Sequence, residues 1–111
     1  MLATYENVFS AVNESVGVIL KTNATKYVMG DVVALSTGGL YEKIALTGSL
    51  TQIAGVVMDA EVDATLADKR ATIATKCSVN STELNFGGGQ TIADVGGILQ
   101  QLGINAKIWR N

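Results

Sequence analysis

A chain of 111 residues sits near the modal size of a single domain; with 48% hydrophobic and 16% charged residues it is no disordered tail, yet it has few charges to keep a lone monomer soluble. The formal net charge of −2 excludes the basic footprint of a nucleic-acid or anionic-membrane binder. The longest aliphatic stretch, Val16 to Leu20 with Gly17 inside it, is far short of the ~20 apolar residues that cross a bilayer, and the single cysteine, Cys77, excludes an intramolecular disulfide.

Met1 to Glu6 lack a basic n-region and a following apolar h-region, so no signal peptide is expected and synthesis in a cytoplasm follows. Tyr5, Val8, Phe9 and Val12 have helical spacing in a stretch too short to be stable alone. Residues 1–14 therefore read as an arm that needs a partner, and residues 15–111 as one β-rich domain. Val16–Leu20 is a first strand. Tyr27–Leu35 is a second, bent or broken at Gly30-Asp31, and Ser36-Thr37-Gly38-Gly39 is a turn. Leu40–Thr47 is a third strand. The near-continuous apolar run Ile53–Met58 predicts a central strand buried on both faces. Arg70–Val79 alternates, with Ala71, Ile73, Thr75, Cys77 and Val79 on a dry face and Arg70, Thr72, Ala74, Lys76 and Ser78 on a wet one.

Near the end the period changes. Ile92, Val95, Ile98, Leu99 and Leu102 form one helical stripe, with Thr91 as N-cap, Asp94 three residues on, and Gly103 just past the C-terminus. Gly96-Gly97 inside it costs roughly 1 kcal/mol per residue against alanine, which predicts close packing on the barrel or on a neighbouring subunit. Ile104–Trp109 is a last strand. The chain has no proline to blunt exposed sheet edges, so those edges are expected to be paired with something.

Catalytic chemistry finds little purchase. There is no histidine, which removes the commonest general base and both Ser-His and Cys-His nucleophiles. Cys77 falls on the Ile73 and Val79 face and reads as a core thiol. Asp59, Glu61 and Asp63 imitate the opening of an EF-hand loop, but Ala64 stands where glycine is required and Arg70 where the bidentate glutamate belongs. With Asp68 they read as a solvated acidic loop. Gly87-Gly88-Gly89 lacks the Lys-Ser or Lys-Thr of a phosphate loop and reads as a connector. Trp109 is either an interface anchor or a lid on the core. No catalytic, cofactor-binding or metal-ligating residue is assigned, and no enzyme activity is expected.

The order of the pieces carries a resemblance. Gly30-Asp31-Val32-Val33-Ala34-Leu35, Gly39-Leu40-Tyr41-Glu42-Lys43, Ala54-Gly55-Val56-Val57-Met58, Glu61-Val62-Asp63-Ala64-Thr65, Lys69-Arg70-Ala71-Thr72-Ile73-Ala74 and Leu99 to Ile108 together resemble the head decoration (capsid cement) proteins of lambda-type tailed phages. The likeness runs from about Glu14 to Trp109. It implies a mainly β domain, a small β-barrel or β-tulip-like fold with one short C-terminal α-helix. It further implies a homotrimer on the outer surface of the expanded capsid, at threefold and quasi-threefold sites, bound to the major capsid protein through an N-terminal arm that adds a strand to it. In this chain Leu2, Tyr5, Val8, Phe9 and Val12 occupy the arm's place and are the expected capsid contacts, being apolar with no evident home in the barrel. A tail-tube or connector component forming rings, and a small-ligand-binding β-barrel, are the alternative readings.

Overall fold

The computed structural model describes residues 8–44, 52–86 and 92–107. The chain is mainly β, a six-strand mixed sheet forming a near-closed ring, with one short C-terminal helix. In chain order the elements are β1 (Phe9–Leu20), β2 (Tyr27–Val28), β3 (Val32–Leu35), β4 (Tyr41–Lys43), β5 (Ile53–Val57), β6 (Glu61–Val62), β7 (Lys69–Asn80), α1 (Ile92–Leu102) and β8 (Ile104–Lys107). The large sheet runs β1-β4-β3-β5-β7-β8, and a further β1–β7 pairing brings its first five strands back on themselves. The narrowest seam of that ring is the parallel β1–β4 contact, where Leu20 faces Tyr41. β2 and β6 form a small separate ladder.

The N-terminal reading is corrected here. From Phe9 the chain is strand, paired antiparallel with β7 as far as Leu20, so the division expected after residue 14 falls inside β1. Irregular register explains why the spacing looked helical. Phe9 faces Val79 and Val12 faces Cys77, so Ser10 and Ala11 of β1 are set against Ser78 alone. Such a bulge turns two apolar side chains three apart in sequence toward the same side.

The break expected at Gly30-Asp31 is present, with β2 and β3 either side of a turn in which Gly30 has φ 98°. A side chain there would collide with the Glu83 carbonyl. The 36–39 turn also forms: Gly38 and Gly39 take φ 73° and 77°, a conformation costly for residues with a Cβ, and it joins β3 to β4 as an antiparallel hairpin. The third strand is short, ending at Lys43, with Ile44 buried just after it; residues 45–47 lie outside the described residues.

β5 is central, between β3 and β7, and buried on both sides as expected. Its neighbours share that double burial, which separates two hydrophobic clusters. Val18, Leu20, Val33, Val57, Ala71 and Ile73 gather with Tyr41 packed against them, so all five ring strands contribute to one cluster; Tyr27, Val62 and Ala64 complete it. Val32, Val56, Ala74, Cys77 and Val79 point the other way, into a second cluster that includes Leu99 of α1, Ile104 of β8, Val8 and Phe9. Ala74 therefore belongs to a dry face and not the wet one expected of it: mid-strand, β7 is flanked by β1 and β5 and covered on both sides.

The helix and its stop agree with the sequence reading, since α1 ends at Leu102 and Gly103 takes φ 91°. Of the two close approaches expected at Gly96-Gly97, packing on the barrel is not found at Gly97, where a Cβ meets nothing within 4 Å among the described residues. Thr91, Gly87-Gly88-Gly89 and Trp109 lie outside the described residues.

Candidate functional site

Of the five apolar residues expected to face a partner, Leu2 and Tyr5 lie outside the described residues. The other three have homes in the fold. Val8 and Phe9 are buried in the cluster beneath α1, and Val12 packs half-buried against it. Phe9 and Val12 reach that cluster through the β1 bulge, which the sequence spacing disguised.

The acidic loop is a constructed feature. Asp63 Oδ1 accepts from the Thr65 N–H at 3.1 Å and the Thr65 hydroxyl at 2.6 Å, which tightens the turn after β6. Asp68 Oδ1 accepts from the Thr22 N–H and hydroxyl, both at 2.7 Å, tying the loop's far end to the segment after β1. Those donors hold both carboxyls below the usual carboxylate range. Between them the Ala64 carbonyl accepts from the Asn23 N–H at 3.1 Å while its methyl is fully buried. A loop fixed at three points presents Leu66 with 96% of its surface exposed. Leu66 borders a shallow groove with Asp59, Glu61, Asp63, Lys69 and Arg70. No cluster of three metal-ligating side chains occurs among the described residues, and each of the two best-placed carboxylates is engaged by a threonine.

The interior polar groups are equally committed. Asp31, almost wholly buried, accepts the Val28 N–H at 2.9 Å and has Lys43 Nζ at 3.9 Å. Burial pushes its carboxyl up, and the Val28 N–H, Lys43 and Asn85 oppose that rise. Lys43 Nζ donates to Thr25 Oγ1 and the Lys26 carbonyl, and lies 5.3 Å from the centre of the Tyr27 ring. The Tyr27 hydroxyl donates to the Lys21 carbonyl at 2.7 Å; burial first, and Glu42 next, push its pKa up to about 12. This network links β2, β3 and β4, and no buried side-chain nitrogen or oxygen among the described residues lacks a partner. Cys77 is buried, with a thiol pushed up to about 11 by burial alone. Its side chain packs in the cluster beneath α1, and burial disfavours its thiolate form.

The exposed features that remain are Leu66, with Val16, Leu35 and Leu102 at about two-fifths exposure, and the open edges of β1 and β8. Only Leu20 of β1 pairs with β4, so Ser10–Ile19 have a strand partner on one side among the described residues. Sequence reasoning missed Leu66 because one leucine in a polar loop carries no periodicity; the Asp-x-Thr at 63–65 was the available sign of a rigid turn. No protein-family model, curated protein or solved structure matches the chain.

Proposed function

We propose that this chain is a structural virion component, a decoration protein. It assembles as a homotrimer on the outer surface of an expanded phage capsid at threefold and quasi-threefold sites, and it clamps the major capsid protein against internal DNA pressure. The observation that supports this reading is where the resemblance falls. Gly30-Asp31 forms the turn before β3, Val32–Leu35 is β3, Tyr41-Glu42-Lys43 is β4, Ala54–Val57 lies in β5, Glu61–Thr65 is β6 with its pinned turn, and Lys69–Ala74 begins β7. The likeness thus lies on four strands of the ring and on β6 with its turn.

The mechanism is mechanical, without chemistry. Leu66 on its fixed loop and Leu2 and Tyr5 near the N-terminus are the capsid contacts. Fully burying one leucine contributes roughly 1.5–3 kcal/mol, and many copies multiply a modest contact into a large stabilisation of the shell. The protein is made in the host cytoplasm and resides on the virion.

The test is light scattering of the purified protein, followed by co-sedimentation with expanded capsids stripped of accessory proteins. A stable trimer that coats the shells and raises their bursting temperature is expected. A protein that ignores the shells overturns the reading and favours the tail-tube or ligand-binding alternatives. Truncation should stop at residue 7: removing 1–7 leaves β1 whole and should weaken shell binding. Removing 1–14 takes Val8 and Phe9 out of the core and tests folding instead.

A further inference from the structure

Three features near the C-terminal half of β7 have no explanation among the described residues. β8 is an edge strand: it pairs with β7 on one side, and its other side has no strand partner among the described residues. Beside it lies a half-enclosed groove of about 270 Å³ lined by Gly96 and Gln100 of α1 and by Asn105, Ala106 and Lys107 of β8. Successive strand side chains point to opposite faces, so three consecutive residues lining one groove place it along the edge of β8. Finally, α1 carries adjacent glycines at a cost of roughly 1 kcal/mol each, yet a Cβ at Gly97 would meet no other element among the described residues within 4 Å.

On the far side of the same three-stranded patch lies the other open edge, Ser10–Ile19 of β1. It is long, largely exposed and free of proline, which marks it for strand pairing. It carries one charged residue, Glu14, and the groove beside β8 also carries one, Lys107, of opposite sign. Glu14, on the exposed surface, accepts a long hydrogen bond from the Thr75 hydroxyl at 3.4 Å and lies 3.9 Å from Lys76 Nζ, which leaves its carboxylate room for a further cation, and Lys107 has no ion pair among the described residues.

We propose that the β1 edge of one copy of this chain enters the groove along β8 of the next, joining the sheets of neighbouring copies head to tail. β8 runs parallel to β7 and β1 antiparallel to it, so copies pointing the same way along the assembly axis meet with β8 and β1 antiparallel. Glu14 then comes to Lys107, and the small residues of α1 admit the incoming backbone. Such an interface uses two different surfaces of each copy, so it closes into a ring or grows without limit. The inference rests on the self-assembly in the proposed function and specifies its interface.

Cross-linking tests it in the full chain, because Cys77 is buried and its thiol is pushed up to about 11. Asn13→Cys and Asn105→Cys place exposed thiols on the two edges. With a short bismaleimide, the doubly substituted chain should give a covalent ladder ending at the mass of the native assembly, and neither single variant should cross-link. Gln100→Trp, at an exposed helix position, should block the groove and weaken self-association by at least about tenfold with an unchanged circular dichroism spectrum. Dimers formed by Asn13→Cys alone would show β1 paired with β1 and overturn the inference. So would an assembly with no ladder, or a monomeric wild type. Shell co-sedimentation separates the two proposals: coating without a ladder sinks this interface alone, and a ladder without coating sinks the decoration reading alone.

Discussion

The two hydrophobic clusters are built from the same strands but differ in what closes them. The cluster fed by all five ring strands has adjacent hydrogen-bonded elements as its walls, with Tyr27, Val62 and Ala64 completing it. The cluster on the opposite face is completed from outside the closed ring, by Leu99 of α1 and Ile104 of β8, together with Val8 and Phe9 at the start of β1. An 11-residue helix is marginal alone, so α1 depends on packing against this cluster, in which Leu99 and Ile98 take part. The difference teaches that the ring interior is the cooperative centre and the helix-covered face a layer that can loosen separately.

The largest expected effect breaks the first cluster. Ile73→Ala removes a fully buried side chain from the middle of β7 and should cost about 2–5 kcal/mol, read from denaturant titration with an unchanged slope. Leu99→Ala carries a similar transfer cost of about 2–5 kcal/mol, but its signature should differ: amide exchange should accelerate in α1 well before β7, and equal acceleration in both would dissolve the contrast. Gly97→Ala should stabilise the dissociated chain by about 0.5–1 kcal/mol, since no described residue comes within 4 Å of the added methyl, while self-association through the proposed groove weakens; a gain in both would remove the neighbouring copy from that position.

The smallest effect concerns pH. Asp63 and Asp68 are held low by their threonine donors, so the stability they contribute is present above the ordinary carboxylate range and is lost as pH falls through their lowered values. Asp31 is shifted the other way by burial, so its ionisation opposes folding and its contribution improves as pH falls from its raised value toward the ordinary one. Asp68→Asn should therefore flatten the acid limb of the stability curve, and Asp31→Asn should flatten the limb above it. If both variants shift the same limb, the assignment of opposite shifts fails.

Legibility in the sequence followed how local the determining interactions were. The 36–39 turn, the α1 stop at Gly103 and the break at Gly30 were readable because a glycine at positive φ answers to its own backbone. The double burial of β5 was readable because a nearly unbroken apolar run has few other uses. Phe9 and Val12 were misread because a bulge is a property of two strands together, and their partners Val79 and Cys77 in β7 are far away in sequence. Of the site, Cys77 was legible as a buried thiol but not its face: the irregular register between Ala74 and Lys76 puts Cys77 and Val79 in the helix-covered cluster, opposite the Ala71 and Ile73 with which strict alternation grouped them. Leu66 was not legible, since its exposure depends on Thr22 and Asn23 holding the loop from another part of the chain.

By itself the sequence determined that this is a small, mainly β domain with one amphipathic C-terminal helix, because composition and hydrophobic period act within a few residues. Only the tertiary structure decided that the first strand reaches back to Phe9, that Ala74 faces a second core, and that β1 and β8 are left with open edges. Those are outcomes of pairing between distant segments, where the burial gained across strands outweighs a local spacing that, taken alone, favours a helix.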